Sequence, residues 1–254
     1  MRTEILYEDK SIMVVRKPAG LAVQSAGIGQ PDVVSELKSY LAKLPGAGRT
    51  GKGEPYLGIV HRLDQPVEGL LVFAKDKKAA AALSKQLAEG ALNKHYYAVL
   101  CGYPDCPEGD LVDYLRKEGN VAVAVTGREQ EFADAKIAAL HYRILEEIND
   151  PSPLALADVT IGTGRFHQIR VQFAHAGFPL FGDTKYGTAV LKEAMSAQKY
   201  RGVALCAYSL ELVHPVSGKK MGFRVVPKNP AFAGFAMEEL KKLTENETGI
   251  SKRG

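Results

Sequence analysis

The run Gly69-Leu70-Leu71-Val72-Phe73-Ala74 carries no charge and reads as a buried strand. A carboxylate stands just ahead of it, in His61-Arg62-Leu63-Asp64. That juxtaposition limits the folds open to the chain. The strand must be covered, and an acid held at its edge costs free energy unless it is paired or put to use. A fixed, desolvated carboxylate is also one of the few side chains able to attack carbon and form a covalent intermediate. In an extended segment Arg62 and Asp64 face one way, while His61 and Leu63 face the other. Taken alone, Arg62 and Asp64 could be no more than a surface ion pair worth about 0–1 kcal/mol.

More strands than helices surround this segment. Residues 12–16 form a Val-rich strand that stops at the turn Lys17-Pro18-Ala19-Gly20. Residues 57–60, 70–74, 96–100, 137–145, 154–161, 204–213 and 221–226 read as further strands. Asp32 can cap a helix carrying Val33, Val34, Leu37, Tyr40, Leu41 and Leu44 at helical spacing, ended by Pro45-Gly46. Asp76 can cap another, with Ala80, Leu83 and Leu87 on one face and Gly90 at its close. Residues 165–176 are helix-compatible up to Gly177. Asn229-Pro230 is a helix start ahead of Phe232, Phe235, Met237, Leu240 and Leu243. Residues 46–55 are a Gly-rich basic loop without P-loop spacing. Residues 103–134 suit short strands between surface loops. Strands and helices do not alternate, which predicts an α+β fold, a mostly antiparallel sheet with helices packed on it, and not a Rossmann pattern.

Charge and cysteine content narrow the function classes. Lys and Arg total 33 against 29 Asp and Glu, a net +4 that permits a polyanionic partner without demanding one. Cys101, Cys106 and Cys206 include no CxxC pair, so neither a disulfide framework nor a zinc site is indicated. The first ten residues lack the apolar segment of a signal peptide, and no window has the apolar length of a membrane span. These features lead to an expectation of a cytoplasmic protein that is not attached to a membrane.

Two further clusters could carry chemistry. Gly162-Thr163-Gly164-Arg165-Phe166-His167-Gln168-Ile169-Arg170 puts Arg165, His167 and Arg170 close together at an expected helix start, a natural place for a phosphate or carboxylate. On this segment alone, a solvated basic helix face is an equally plain account. Lys94-His95-Tyr96-Tyr97 opens a strand, and alternation would turn one tyrosine to the core or a pocket and the other to solvent. His61, His167 and His175 have no metal-ligand spacing and read as core or hydrogen-bonding histidines.

Together these segments resemble the RluA-type pseudouridine synthases, over residues 5–227. Ile5-Leu6-Tyr7-Glu8-Asp9 followed by Val15-Arg16-Lys17-Pro18-Ala19-Gly20-Leu21 resembles the opening motif of that family. His61-Arg62-Leu63-Asp64 with Gly69-Leu70-Leu71 resembles the catalytic motif, and Asp64 falls on the nucleophile. Lys94-His95-Tyr96 resembles the Lys-x-Tyr motif and puts Tyr96, not Tyr97, on the active-site tyrosine. Gly164 to Arg170 resembles Gly-Arg-Thr-His-Gln-Ile-Arg, with Arg170 on the basic partner of the aspartate. Pro179-Leu180-Phe181-Gly182-Asp183, Tyr186-Gly187 and His214-Pro215 match later landmarks. Val67-Glu68 stand where Thr-Ser is usual, and Phe166 replaces Thr; Glu68 is expected to alter the contacts of its loop with RNA.

The resemblance implies the pseudouridine synthase catalytic fold, with a large, mixed but mostly antiparallel sheet, as a single domain over residues 1–243. A frayed polar tail, 244–254, follows, and no separate N-terminal RNA-binding module is expected. It implies an RNA isomerase that converts a uridine of ribosomal or transfer RNA to pseudouridine, without cofactor or metal. Asp64, Tyr96 and Arg170 would be its catalytic residues. Arg62, Arg165 and Lys185 would contact RNA, with residues 46–53 as a further candidate for phosphate. A monomer without an obligate protein partner is expected. The competing reading is a non-catalytic RNA-binding or RNA-chaperone protein on the same fold, which would keep basic surface without needing Asp64, Tyr96 and Arg170 together. A retaining glycosidase would need a second carboxylate about 5–5.5 Å away, with Glu68 the neighbour in sequence.

Overall fold

Two aspartates start the first two helices as their spacing predicts. Asp32 accepts the Ser35 N–H at 2.7 Å and begins α1 (Val33–Lys43). Asp76 accepts the Ala79 N–H at 2.8 Å and begins α2 (Lys77–Ala88). Each side chain satisfies a donor that the first helical turn leaves without a partner. The computed structural model describes residues 1–25, 27, 29–44, 54–126, 134–149, 152–187 and 202–237. The Gly-rich basic loop at 46–53, Leu240, Leu243 and the tail 244–254 lie outside these residues.

The chain divides into two compact units. The first takes Met1–Lys94 and returns for Ala207–Pro227. Its strands are β1 (Glu4–Glu8), β2 (Ile12–Lys17), β3 (Gly58–Ile59), β4 (Glu68–Ala74), most of β10 (Leu205–Val213) and β11 (Lys220–Arg224). They run in the order β1-β2-β4-β10, with β3 on β4 and β11 on β10. The β1/β2, β2/β4, β3/β4 and β10/β11 registers are antiparallel. Every residue of β2 and β4 is buried, so the uncharged run before Lys75 is the covered strand its composition predicts. Leu37 and Leu41 of α1 and Leu83 of α2 are also buried.

The second unit takes His95–Cys206 and resumes at Lys228. Its strands are β5 (Asn93–Cys101), β6 (Glu108–Glu118), β7 (Val121–Val125), β8 (Lys136–Ile148) and β9 (Leu154–Ile161), in the order β5-β9-β8-β6-β7 with antiparallel registers throughout. Leu115, Ala122, Ala138 and Val171 form a buried cluster between this sheet and α3 (Gln168–His175). Eleven strands and three α-helices among the described residues make the fold α+β.

Four expectations need correction. Residues 103–134 are not mainly short strands: β6 is eleven residues long and turns into β7 through Gly119, whose φ of +58° closes the hairpin. The third helix starts at Gln168, not at 165, because His167 sits in the left-handed region at φ 54° and breaks the helical path. After Asn229 the described chain makes only a 3-10 turn, Pro230–Phe232, capped by the Asn229 side chain at 3.0 Å. Tyr96 and Tyr97 are both buried, since β5 is covered on both faces, and neither turns to solvent.

Candidate active site

The segment that carries Asp64 is extended and alternates as its sequence predicts. His61 and Leu63 are buried, Arg62 is exposed and Asp64 is half-buried. His61 Nε2 accepts the Val72 N–H at 3.3 Å, which pins the segment to β4. Burial, with Lys94 adding to it, pushes the His61 pKa down to about 3. The ring is therefore neutral in any ordinary buffer, and its work is structural.

Downstream, the Val67 N–H donates to the Asp64 carbonyl at 3.1 Å, closing a tight turn. A lysine that stands inside a turn motif in the sequence holds it from below. Lys17 is fully buried, and its Nζ donates to the carbonyls of Leu21 at 2.7 Å, Gln65 at 3.0 Å and Pro18 at 3.1 Å. The Gly20 N–H also donates to the Gln65 carbonyl, at 2.8 Å. The turn after β2 and the turn after Asp64 thus share one ammonium. Burial pushes the Lys17 pKa down to about 7, against the opposing pull of Asp64 and Glu68. Burial of a lysine cannot be read from Lys-Pro in a sequence; only the three carbonyls aimed at Nζ disclose it.

Glu68 is buried and presents its charge to the sheet, so any effect on the contacts of its loop with RNA is indirect. It is the first residue of β4, is buried, and accepts from Arg16 at 3.2 Å. Arg16 also donates to the Val226 carbonyl at 2.7 Å. Arg16 lies opposite Leu70, so Glu68 is its diagonal neighbour across β2 and β4. The charge that breaks the family pattern is thus neutralised inside the sheet. Gly69 follows at φ +128°, and a Cβ there would lie 2.4 Å from the Ala207 carbonyl oxygen. Only glycine fits that approach of β10 to β4.

In the second unit, Tyr96 is buried on β5 opposite Val159 of β9. Arg170 is buried on α3, and Asp183 grips it from two sides, Oδ2 accepting from Nε at 2.7 Å and Oδ1 from Nη2 at 2.9 Å. Oδ1 of Asp183 also accepts the N–H groups of Lys185 at 3.0 Å and Tyr186 at 3.2 Å. The Tyr186 ring lies 5.2 Å from the Arg170 guanidinium carbon. This bidentate clamp fixes the plane of the guanidinium. Asp183 is a second residue whose role the sequence does not disclose, being marked there only as a landmark.

The expected anion site at the start of α3 takes another form. Arg165 lies outside the helix, exposed, with Nε donating to the Ile137 carbonyl at 2.9 Å. His167 Nδ1 is bonded to the Tyr186 hydroxyl at 2.7 Å. Lys185 is exposed, with Nζ donating to the Asn120 carbonyl at 2.6 Å. Among the sequence-predicted residues, Arg62 and Asp64 belong to the first unit, and Tyr96, Arg165, Arg170 and Lys185 to the second.

Comparison with known proteins agrees with the motif reading. A family model described as RNA pseudouridylate synthase matches residues 11–175. The chain is similar to a ribosomal large subunit pseudouridine synthase D of Zymomonas mobilis, with 35% identity covering 87% of this chain and 68% of that protein. A protein of the same description from Pseudomonas aeruginosa is 35% identical, over 86% of this chain and 66% of its own length. The chain thus spans about two thirds of the length of the curated relatives it matches. A solved structure, human RNA pseudouridylate synthase domain containing 1, superposes with a TM-score of 0.72 at 18% identity, covering 96% of this chain and 94% of its own. At that identity the likeness concerns the fold.

Proposed function

The chain belongs to the RNA pseudouridylate synthase family, in its RluA-type branch, and on that premise we propose that Asp64 is the nucleophile with which it isomerises a uridine of large-subunit ribosomal RNA. The reaction class is that of the family, uridine to pseudouridine in RNA. The C1′–N1 bond breaks, the uracil turns while bound, a C1′–C5 bond forms, and the proton lost from C5 ends on N1. Ribosomal RNA is chosen because the relatives' own descriptions name the large subunit; transfer RNA is the second candidate.

The observation that carries the assignment of Asp64 is the tethered turn. A nucleophile must be fixed and accessible at once. Buried His61, Leu63 and Lys17 hold its backbone, while Asp64 itself is only partly buried. Attack at C1′ of the ribose and attack at C6 of the base both suit a carboxylate so placed. Tyr96 takes the uracil face and helps move the C5 proton. Arg170 is the cation that keeps the nucleophile ionised, since an opposite charge at short range lowers a carboxylate's pKa. Its clamp by Asp183 supports a fixed role for it. The target base must leave its stack to be modified, and exposed Arg62 fills the space it vacates. Arg165 and Lys185 contact phosphates. Residues 1–243 act as one catalytic domain, in the cytoplasm, as a monomer without an obligate protein partner.

Tritium release from RNA labelled at C5 of uridine tests the assignment. Asp64→Asn is expected to release none, while its RNA affinity stays within about tenfold of the wild type, because phosphate contacts dominate affinity. Release near the wild-type rate overturns Asp64 as nucleophile. Pseudouridine mapping of total RNA from cells with and without the gene identifies the modified nucleotide.

A further inference from the structure

Around Phe166 the second unit carries a built surface that the assigned residues do not explain. Partners in a strand register share a face of the sheet. Leu115 pairs with Lys136, and Lys117 pairs with Ala122. Leu115 and Ala122 belong to the cluster under α3, so Lys117 and Lys136 project from the face on which Phe166 packs. Both lysines are exposed. Phe166 stacks on His167 with ring centroids 3.8 Å apart, and Lys117 Nζ lies 5.0 Å from the Phe166 centroid. A cation seated on an aromatic ring is attracted by the ring quadrupole.

Direct contacts tie the neighbouring cations to the same place. The Tyr186 hydroxyl meets both His167 Nδ1 and the Ala122 N–H, each at 2.7 Å. Lys185, next to Tyr186, reaches the Asn120 carbonyl in the β6–β7 turn. Arg165, next to Phe166, holds the Ile137 carbonyl beside Lys136. Asp113 shares this sheet face farther along β6, and it is occupied by Gln172 at 2.8 Å and His175 at 2.7 Å.

We infer that Lys117, Lys136, Arg165 and Lys185 form one continuous binding surface for the sugar-phosphate backbone of RNA, set in place by the Phe166–His167 stack. This rests on the reading that the chain acts on RNA. Exposed cations held by carbonyls and a ring, with Asp113 occupied by Gln172 and His175, suit a flexible polyanion better than a single small anion. Phe166 is the departure that builds this surface: the threonine usual at this position has no ring on which to seat Lys117. Backbone contact fixes the register of the RNA without reading its sequence.

Binding of a fluorescein-labelled oligouridylate, followed by anisotropy over a salt series, tests this. For single strands each phosphate that the protein neutralises adds about 0.7 to the steepness of log K against log salt. The double variant Lys117→Ala/Lys185→Ala neutralises two fewer phosphates, so its plot should be shallower by about 1.4. It should also bind more weakly at every salt concentration, with an unchanged melting temperature. Phe166→Thr should weaken binding in the same direction, and Phe166→Tyr should restore it. A double variant with the wild-type slope overturns the surface, and so does its release of an acidic polypeptide such as polyglutamate in place of RNA. Phe166→Thr with wild-type affinity overturns the part given to the stack. Tritium release by the wild type is measured alongside: an inactive wild type counts against the isomerase reading, whereas an active wild type whose double variant keeps the wild-type salt slope counts against this surface alone.

Discussion

At the scale of single residues, two buried charges and one buried neutral ring govern what the site can tolerate. His61 has its pKa pushed down to about 3 in the folded protein, against an ordinary 6.5. The unfolded chain therefore binds a proton that the folded chain refuses between those values. Stability is full above pH 6.5 and falls as the pH drops toward 3, at about 1.4 kcal/mol per pH unit in mid-window. His61→Gln keeps an acceptor for the Val72 N–H and removes that titration. The difference in urea-unfolding free energy between wild type and variant should shrink as the pH falls through 5; a constant difference refutes the role of His61. Arg170 presents the opposite problem. Arg170→Ala leaves Asp183 buried without its guanidinium, at a cost of about 3–5 kcal/mol. Arg170→Ala with Asp183→Asn should recover most of that stability and still lack tritium release. Recovery of both stability and turnover would remove Arg170 from the chemistry.

At the scale of elements, Gly69 decides whether β4 and β10 can lie together. Gly69→Ala combines a φ of +128° with a Cβ 2.4 Å from backbone oxygen, and neither atom can move without shifting a strand. A loss of at least about 2 kcal/mol is expected, read from the urea midpoint; a midpoint equal to the wild type would mean that β10 can retreat. Much of this level was legible in the sequence where the signal is local. Asp32 and Asp76 announce their helices, and the uncharged run after Glu68 announces a covered strand. Where tertiary contacts decide, the reading failed. β1 (Glu4–Glu8) is a three-residue apolar run between glutamates, too short and without alternation to stand out, and it is fixed by pairing with β2. The start of α3 depends on Tyr186, nineteen positions after His167. The site divides the same way. Asp64 and Arg170 are marked by motifs, but the burial of Glu68 depends on Arg16 and that of Lys17 on Gln65, 52 and 48 positions away.

At the scale of the whole molecule, the first unit is discontinuous in the chain, and its two described parts are bound by specific contacts. Arg16 reaches the Val226 carbonyl, Gln86 meets the backbone of Val213 at 2.7 and 2.8 Å, and His214 meets Asp9 at 2.7 Å. A chain ending at Cys206 should therefore lose the first unit's cooperative unfolding transition, with residues 1–94 open to limited proteolysis; protection equal to the full chain would show that those residues fold without β10 and β11. The net charge of +4 is too small to steer RNA by itself, so affinity depends on where the cations stand. Discontinuity also sets a timetable during synthesis. Ala207 follows Lys94 by 113 positions (207 − 94). At roughly 5–20 residues per second, β4 waits on the order of ten seconds on the ribosome before its partner strand β10 exists. For that interval one of the most apolar strands of the protein, with one edge largely unpaired, is a client for chaperones, and expression at lower temperature or with added chaperone should raise the soluble yield.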